Sequence, residues 1–439
     1  MSETKITRAL TVPAAIAAVV LLAGAGGHGG IDVKVFGILA LVLVGAKLVG
    51  DLFERLGQPA VLGELLAGIL VGNLTMFGID TFTIISEGPA FALLAQIGVI
   101  LLLFEVGLES DLMEMRRVGP VSLAVAVVGV IVPVLLGYGV HILFVPQATW
   151  HVHLFVGAIL AATSVGITAR VLRDLGAISS PTGRVILGAA VIDDVLGLVI
   201  LAVVVGIVTS ASTGEHMNAA SIVFIIVKAV VFLFGAILLG RPVSRLVFKL
   251  AQKLQARGVL LAVALAFCFF VSWGAGAVGL ATIVGAFAAG LVLEEVSYRD
   301  LQDREPHGLE TQLAPISGFL VPVFFVVTGA KVKLDAMSSV SVLLLALALT
   351  AVAIIGKQAC SLVAFGRGVD RLSVGLGMIP RGEVGLIFAT VGADLMFHGE
   401  PVIPPSTYAA TIVMVLITTM VTPPILAWSL KRKSSAVAP

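Results

Sequence analysis

The chain has 439 residues, 59% of them hydrophobic and only 12% charged, with 27 Lys and Arg against 26 Asp and Glu. Soluble domains average about 25% charged residues, so a mean hydropathy of +1.13 over this length excludes a soluble globular protein. The net charge of +1 attracts no polyanion, which excludes a nucleic-acid binder. Apolar runs long enough to cross a bilayer recur from end to end and predict an all-α polytopic membrane protein.

In chain order the apolar segments fall at 9–26, 33–53, 60–75, 90–108, 118–144, 152–172, 183–209, 218–240, 258–275, 277–295, 312–330, 338–365, 372–394 and 406–430. They are numbered zero to thirteen. Alternate gaps carry the basic residues, from Arg55 through Arg116, Arg117 and the run Arg241 to Arg257, down to Lys431, Arg432 and Lys433 in the tail. The opposite gaps hold only Lys34, Lys331 and Lys333, so the cationic side, and with it the C-terminus, is expected in the cytoplasm. Segment zero follows Lys5 and Arg8 and ends in Ala23-Gly24-Ala25. It reads equally as a signal peptide within 1–30 or as one more helix. None of the histidines falls in a metal-ligand spacing, and His151 and His153, at a segment end, are expected to be solvated. Cys268 and Cys360 lie in different apolar segments with no pattern around them, which argues against a disulfide or a metal role.

The chain repeats itself. Gly63, Ala67 and Gly68 of segment two match Gly285, Ala289 and Gly290 of segment nine, 222 positions on. Gly107 and Leu112, at the end of segment three, match Gly329 and Leu334 at the same offset of 222. Segments seven apart cross the membrane in opposite directions. The expectation is two repeats of inverted topology, with a site near the midplane between broken helices.

Ionisable groups inside apolar spans are costly and mark function. Asp193 and Asp194 sit side by side near the centre of segment six. Neighbours on a helix point about 100° apart, so one can meet a cation while the other faces a different helix. Lys357, deep in segment eleven, needs a carboxylate partner, for which either aspartate is a candidate. Segment twelve carries Gly375, Gly377, Pro380, Gly382 and Gly385, which break a regular helix; Arg381 and Glu383 beside them can neutralise each other or cap the exposed ends. Segment five carries Thr163, Ser164 and Thr168 at mid-span. Segments five and twelve form one inverted pair, and hydroxyls with freed carbonyls suit Na⁺. Glu64 and Glu105 are structural or lining groups, while Lys47 and Asp51 snorkel to the inner face. Lys228 has no evident partner in the sequence.

These motifs resemble the cation/proton antiporter superfamily, specifically bacterial Na⁺/H⁺ antiporters of the NapA type. The resembling stretches are Gln58–Glu64, Phe104–Glu109, Ala162–Arg170, Val191–Gly197 and Pro380–Gly385, and the likeness runs from about 33 to 430. The resemblance implies thirteen transmembrane helices in inverted repeats with crossed broken helices, and a homodimer in the cell membrane. It implies a core domain at about 118–209 and 338–430, a dimerisation domain at about 33–110 and 258–335, a linker helix at 218–240, and a tail at 431–439. It makes Asp194 the principal Na⁺ ligand and pairs Asp193 with Lys357 in a pH-sensitive ion pair. It places Thr163 and Ser164 beside the site, and Arg381 and Glu383 as charges of the second broken helix. Segment zero and Glu105 depart from the closest pattern. Related potassium-efflux members carry a soluble nucleotide-binding domain, and with only a few residues after segment thirteen none is expected here. Neighbouring electroneutral exchangers carry Asn-Asp where this chain has Asp193-Asp194, which favours electrogenic exchange.

The function expected is exchange of Na⁺ or Li⁺ for H⁺ by alternating access, without a cofactor and without enzymatic chemistry; K⁺/H⁺ antiport on the same fold stands second. An intramembrane aspartyl protease needs two aspartates from different helices facing one water, and here they are adjacent. A channel would need neither the buried charges nor the repeat.

Overall fold

A computed structural model describes residues 33–109, 119–212, 219–254, 256, 258–293, 308–335 and 339–436. Segment zero lies outside the described residues, as do Arg116, Arg117, Arg299 and Arg304. The described residues are helical apart from short connections and one small hairpin. The helices are α1 (Lys34–Arg55), α2 (Ala60–Gly72), α3 (Pro89–Glu109), α4 (Pro120–Phe144), α5 (Trp150–Ala161), α6 (Val165–Asp174), α7 (Pro181–Ser212), α8 (Ala219–Ala251), α9 (Val259–Ala277), α10 (Thr282–Val292), α11 (Leu309–Ala330), α12 (Val340–Gln358), α13 (Arg371–Gly377), α14 (Gly382–Asp394) and α15 (Pro405–Ala436). Strands β1 (Met396–Phe397) and β2 (Glu400–Pro401) pair antiparallel between α14 and α15.

Among the described residues ten helices are long and apolar enough to cross a membrane. The pair α13 and α14, bent by 44° at their break, makes an eleventh candidate, and α5 and α10 are shorter apolar helices. Segment five therefore divides into α5 and α6, where Thr163 and Ser164 compete with the helical ladder. Segment twelve divides at Met378–Arg381. Segment seven runs on to Ala251 instead of ending near 240, because Arg241, Arg245 and Lys249 are good helix formers and Pro242 does not end the helix.

The chain forms two compact units, Met1–Ile97 with Pro322–Lys331, and Gly98–Val321 with Val332–Pro439. In the first, α2 packs on α1, where a Cβ at Gly63 would fall on the carbonyl oxygen of Val49. A Cβ at Gly68 would meet the carbonyl oxygen of Val326 on α11, and one at Gly329 would meet that of Leu65 on α2. In the second unit, a Cβ at Gly285 of α10 would fall on the carbonyl oxygen of Val271 on α9. One at Gly290 would meet Phe104 O on α3, and one at Gly107 would meet Phe287 O on α10. Small residues let helix backbones touch in this way.

The second unit holds the bundle that carries Asp193, Asp194 and Lys357. Helix α4 packs against α5, α7 and α12, and α12 against α15. Val125 and Ala126 of α4, Leu172 of α6, Ile186 and Ala189 of α7, Cys360 and Met378 form its apolar floor.

Candidate functional site

The two breaks hold each other. Interrupting a helix in an apolar surround frees N–H and C=O groups that must find partners in the protein. Here the Ser164 N–H donates to Pro380 O at 2.7 Å. The Thr163 hydroxyl donates to Met378 O at 3.4 Å, and Thr168 to Gly377 O at 2.7 Å. Arg381 answers in the other direction, donating from one guanidinium nitrogen to Ala162 O at 2.9 Å and from the other to Ala353 O of α12 at 3.1 Å. The Ser164 hydroxyl reaches both carboxylate oxygens of Glu383, at 3.1 and 3.0 Å. Gly382 has φ +44°, a left-handed backbone that favours glycine, and a Cβ there would meet the Ser164 side chain. Its N–H donates to the Thr419 hydroxyl of α15 at 3.0 Å. Of the two uses open to Arg381, the structure takes the cap: the fully buried side chain holds the Ala162 carbonyl freed at the break and ties it to α12 through Ala353 O.

Beside this crossing lies the charged centre. Lys357, in the last turn of α12, donates to Asp193 of α7 at 3.0 and 3.2 Å, with side chains 0% and 1% exposed. The Thr163 hydroxyl lies beside Asp193. Asp194 differs from its neighbour. It is half-buried and has no hydrogen bond or ion pair among the described residues. The carboxylates of Asp193 and Glu383 lie within electrostatic reach of it. One aspartate is thus committed to a lysine, and the next makes no such bond, with two carboxylates and the Lys357 ammonium within electrostatic reach.

The other candidates stand apart. Glu64, buried in the first unit, pairs with Lys47 at 3.5 Å. Asp51 pairs with Arg55 at 2.8 Å, one turn along α1. Glu105 is half-buried on α3. The Lys228 ammonium sits 3.5 Å from where a Cβ of Gly279 would be, just past the end of α9. His153 is buried rather than solvated: its Nδ1 lies 2.7 Å from Nδ1 of His141, whose Nε2 reaches the Thr407 hydroxyl at 3.3 Å. Only His151 fits the solvated expectation in part, resting against Trp150. Both cysteines are free and buried. No cluster of three or more His, Cys, Asp or Glu suited to a metal occurs among the described residues.

The pattern of the family described as "Sodium/hydrogen exchanger, transmembrane" matches residues 37–432. The chain belongs to this exchanger family. A high-affinity Na⁺/H⁺ antiporter of Synechocystis, NhaS3, is 40% identical, with 88% of each chain covered. The Na⁺/H⁺-K⁺ antiporter GerN of Bacillus cereus is 34% identical over 91% of this chain and 97% of its own. The fold is similar to that of the sodium proton antiporter MjNhaP1 from Methanocaldococcus jannaschii, at a TM-score of 0.66 and 19% identity, covering 90% of this chain and 97% of that one. As a sodium/hydrogen exchanger the protein is a multi-pass secondary transporter and not an enzyme. Na⁺ and H⁺ are its substrates, and alternating access is consistent with its fold.

Proposed function

We propose that Asp194 is the carboxylate for which Na⁺ and H⁺ compete. The observation that carries this is the contrast within one dipeptide: Asp193 is held by Lys357, while Asp194 is open. Thr163 and Ser164 supply hydroxyls at the adjoining break, and Arg381 and Glu383 hold the second break in shape. Competition alone couples the two fluxes. Asp194 neutralised by a proton or by Na⁺ crosses the low-dielectric barrier, whereas the empty, charged site crosses poorly. Lys357 adds a second titration. If Na⁺ binding draws Asp193 away, the lysine releases a proton, and the exchange becomes electrogenic.

We further read the chain as thirteen crossings in two inverted repeats, of the NapA type. Support comes from the ten long apolar helices with the bent pair and the two shorter ones. It comes also from the glycine contacts, in which Gly63 on Val49, Gly68 on Val326 and Leu65 on Gly329 recur 222 positions later, or earlier, as Gly285 on Val271, Gly290 on Phe104 and Phe287 on Gly107. The basic ends of α8 and α15 favour a cytoplasmic C-terminus in the cell membrane. A homodimer and the domain limits given above complete the reading, with Glu64 and Glu105 as accessory groups. Li⁺ shares the Na⁺ site. K⁺/H⁺ exchange is the second reading, favoured by the relative named as an Na⁺/H⁺-K⁺ antiporter.

The test is reconstitution in liposomes with a pH-sensitive dye, adding Na⁺, Li⁺ and K⁺ in turn. Asp194→Asn keeps the shape of the side chain and removes its charge, so exchange is expected to vanish while the protein stays folded. Exchange at the wild-type rate in this variant overturns the assignment. A proton signal driven by K⁺ alone replaces the first reading with the second.

A further inference from the structure

We infer that Gly129 of α4 is a positioning residue for the Lys357–Asp193 pair: its bare backbone is the seat that lets α7 and α12 bring the two charges together. The inference rests on the reading of that pair given above. Gly129 is buried, and a Cβ there would lie 2.9 Å from Cys360 Sγ, 3.5 Å from Lys357 Nζ and 3.7 Å from Asp193 Oδ1. Three side chains, from α7, α12 and the turn after α12, converge on the place of one missing methyl group. The closest of them has little freedom to yield. Cys360 Sγ donates to Val125 O at 3.3 Å, one turn earlier on α4, so moving the thiol costs that bond.

The same crossing is tight one turn further on. A Cβ at Gly356 would lie 3.0 Å from Cα of Pro133, so α4 and α12 meet on backbone at this level as well. Pro133 carries no N–H for the carbonyl of Gly129, four residues before it, which opens the helical ladder beside the pair. A methyl group at 129 therefore presses Cys360 outward and, through it, the end of α12 that carries Lys357. The ammonium then leaves the Asp193 carboxylate without any change to either charged residue.

The experiment compares Gly129→Ala, Gly129→Ala with Cys360→Ala, and Lys357→Ala in the full-length protein in liposomes. It reads half-saturating Na⁺, the pH profile of exchange, charge moved per Na⁺ and, in detergent, melting temperature. One methyl in a packed crossing is expected to raise half-saturating Na⁺ about tenfold. The pH profile and the charge moved should shift in the direction of Lys357→Ala. The double variant moves volume from one side of the seat to the other instead of adding it, so it should recover most of the wild-type behaviour. A Gly129→Ala variant that melts lower but keeps the wild-type pH profile and Na⁺ dependence overturns the proposal, since that is what mere packing gives. If Gly129→Ala does not fold, the double variant decides: near-wild-type exchange supports the seat, and a folded double with altered coupling overturns it. Lys357→Ala with unchanged pH profile and charge movement defeats the reading of the pair itself, separately from the Gly129 result.

Discussion

The glycine crossings and the broken-helix crossing solve one problem in opposite ways. Between α2 and α11, and between α3 and α10, backbones meet directly, glycine on carbonyl, with no side chain between them. Between α5–α6 and α13–α14 the helices are interrupted, and hydroxyls, a guanidinium and a carboxylate fill the gap. Apolar lipid gives helices no hydrophobic reason to associate, so a frame relies on close contact. An interrupted helix relies on saturating its freed backbone groups. A contact of the first kind has nothing to titrate. The second kind places polar groups where an ion can exchange with them.

Removing a charge should hurt most in the second region. Lys357→Ala leaves a buried carboxylate without its counter-charge, and breaking such a pair costs about 3–5 kcal/mol. Melting temperatures of Lys357→Ala, Asp193→Asn and the double at neutral pH test this. The double is expected to recover part of the loss, whereas simple addition of the two losses would mean that the residues are not coupled.

Adding volume should hurt most in the first region. Gly68→Ala and Gly290→Ala each drive a methyl into a backbone carbonyl, at about 3 kcal/mol. Equal falls in melting temperature for the two sharpen the view that the crossings are related. A fall in only one breaks it. Gly45→Ala is the control, because nothing lies within 4 Å of its Cβ position.

The smallest effect is expected from Ser164→Ala. It removes the donor to Glu383, and a hydrogen bond to a charged group contributes about 2 kcal/mol. The loss should appear as lower stability together with altered exchange, since Ser164 also belongs to the break beside Asp194. Unchanged melting and unchanged Na⁺ dependence would make that contact incidental.

The parts of this arrangement legible in the sequence are those that violate a local rule. Lys357 and the two aspartates stand out because charge is costly in an apolar run, and Pro380 with its glycines because no regular helix tolerates them. The offset of 222 between the two sets of glycines could be read because glycine spacing is a one-dimensional signal. What could not be read depends on contacts between distant segments. The separation of about 100° between neighbours left both aspartates open as partners of Lys357, and the packing of α7 and α12 on α4 selects Asp193. His153 sits at the start of α5, where a helix end suggests water, yet His141 of α4 meets it, and Thr407 of α15 holds His141 in turn. Gly129 looks like any other glycine of an apolar helix until Cys360, Lys357 and Asp193 surround it.

The reciprocal bonds between the breaks, Ser164 N–H to Pro380 O and Arg381 to Ala162 O, also constrain inheritance. Each break is completed by atoms encoded more than two hundred residues away. Recombination that exchanged one of these stretches with a diverged relative would have to bring the other with it. Residues 162–168 and 377–383 therefore behave as a single heritable unit written in two places.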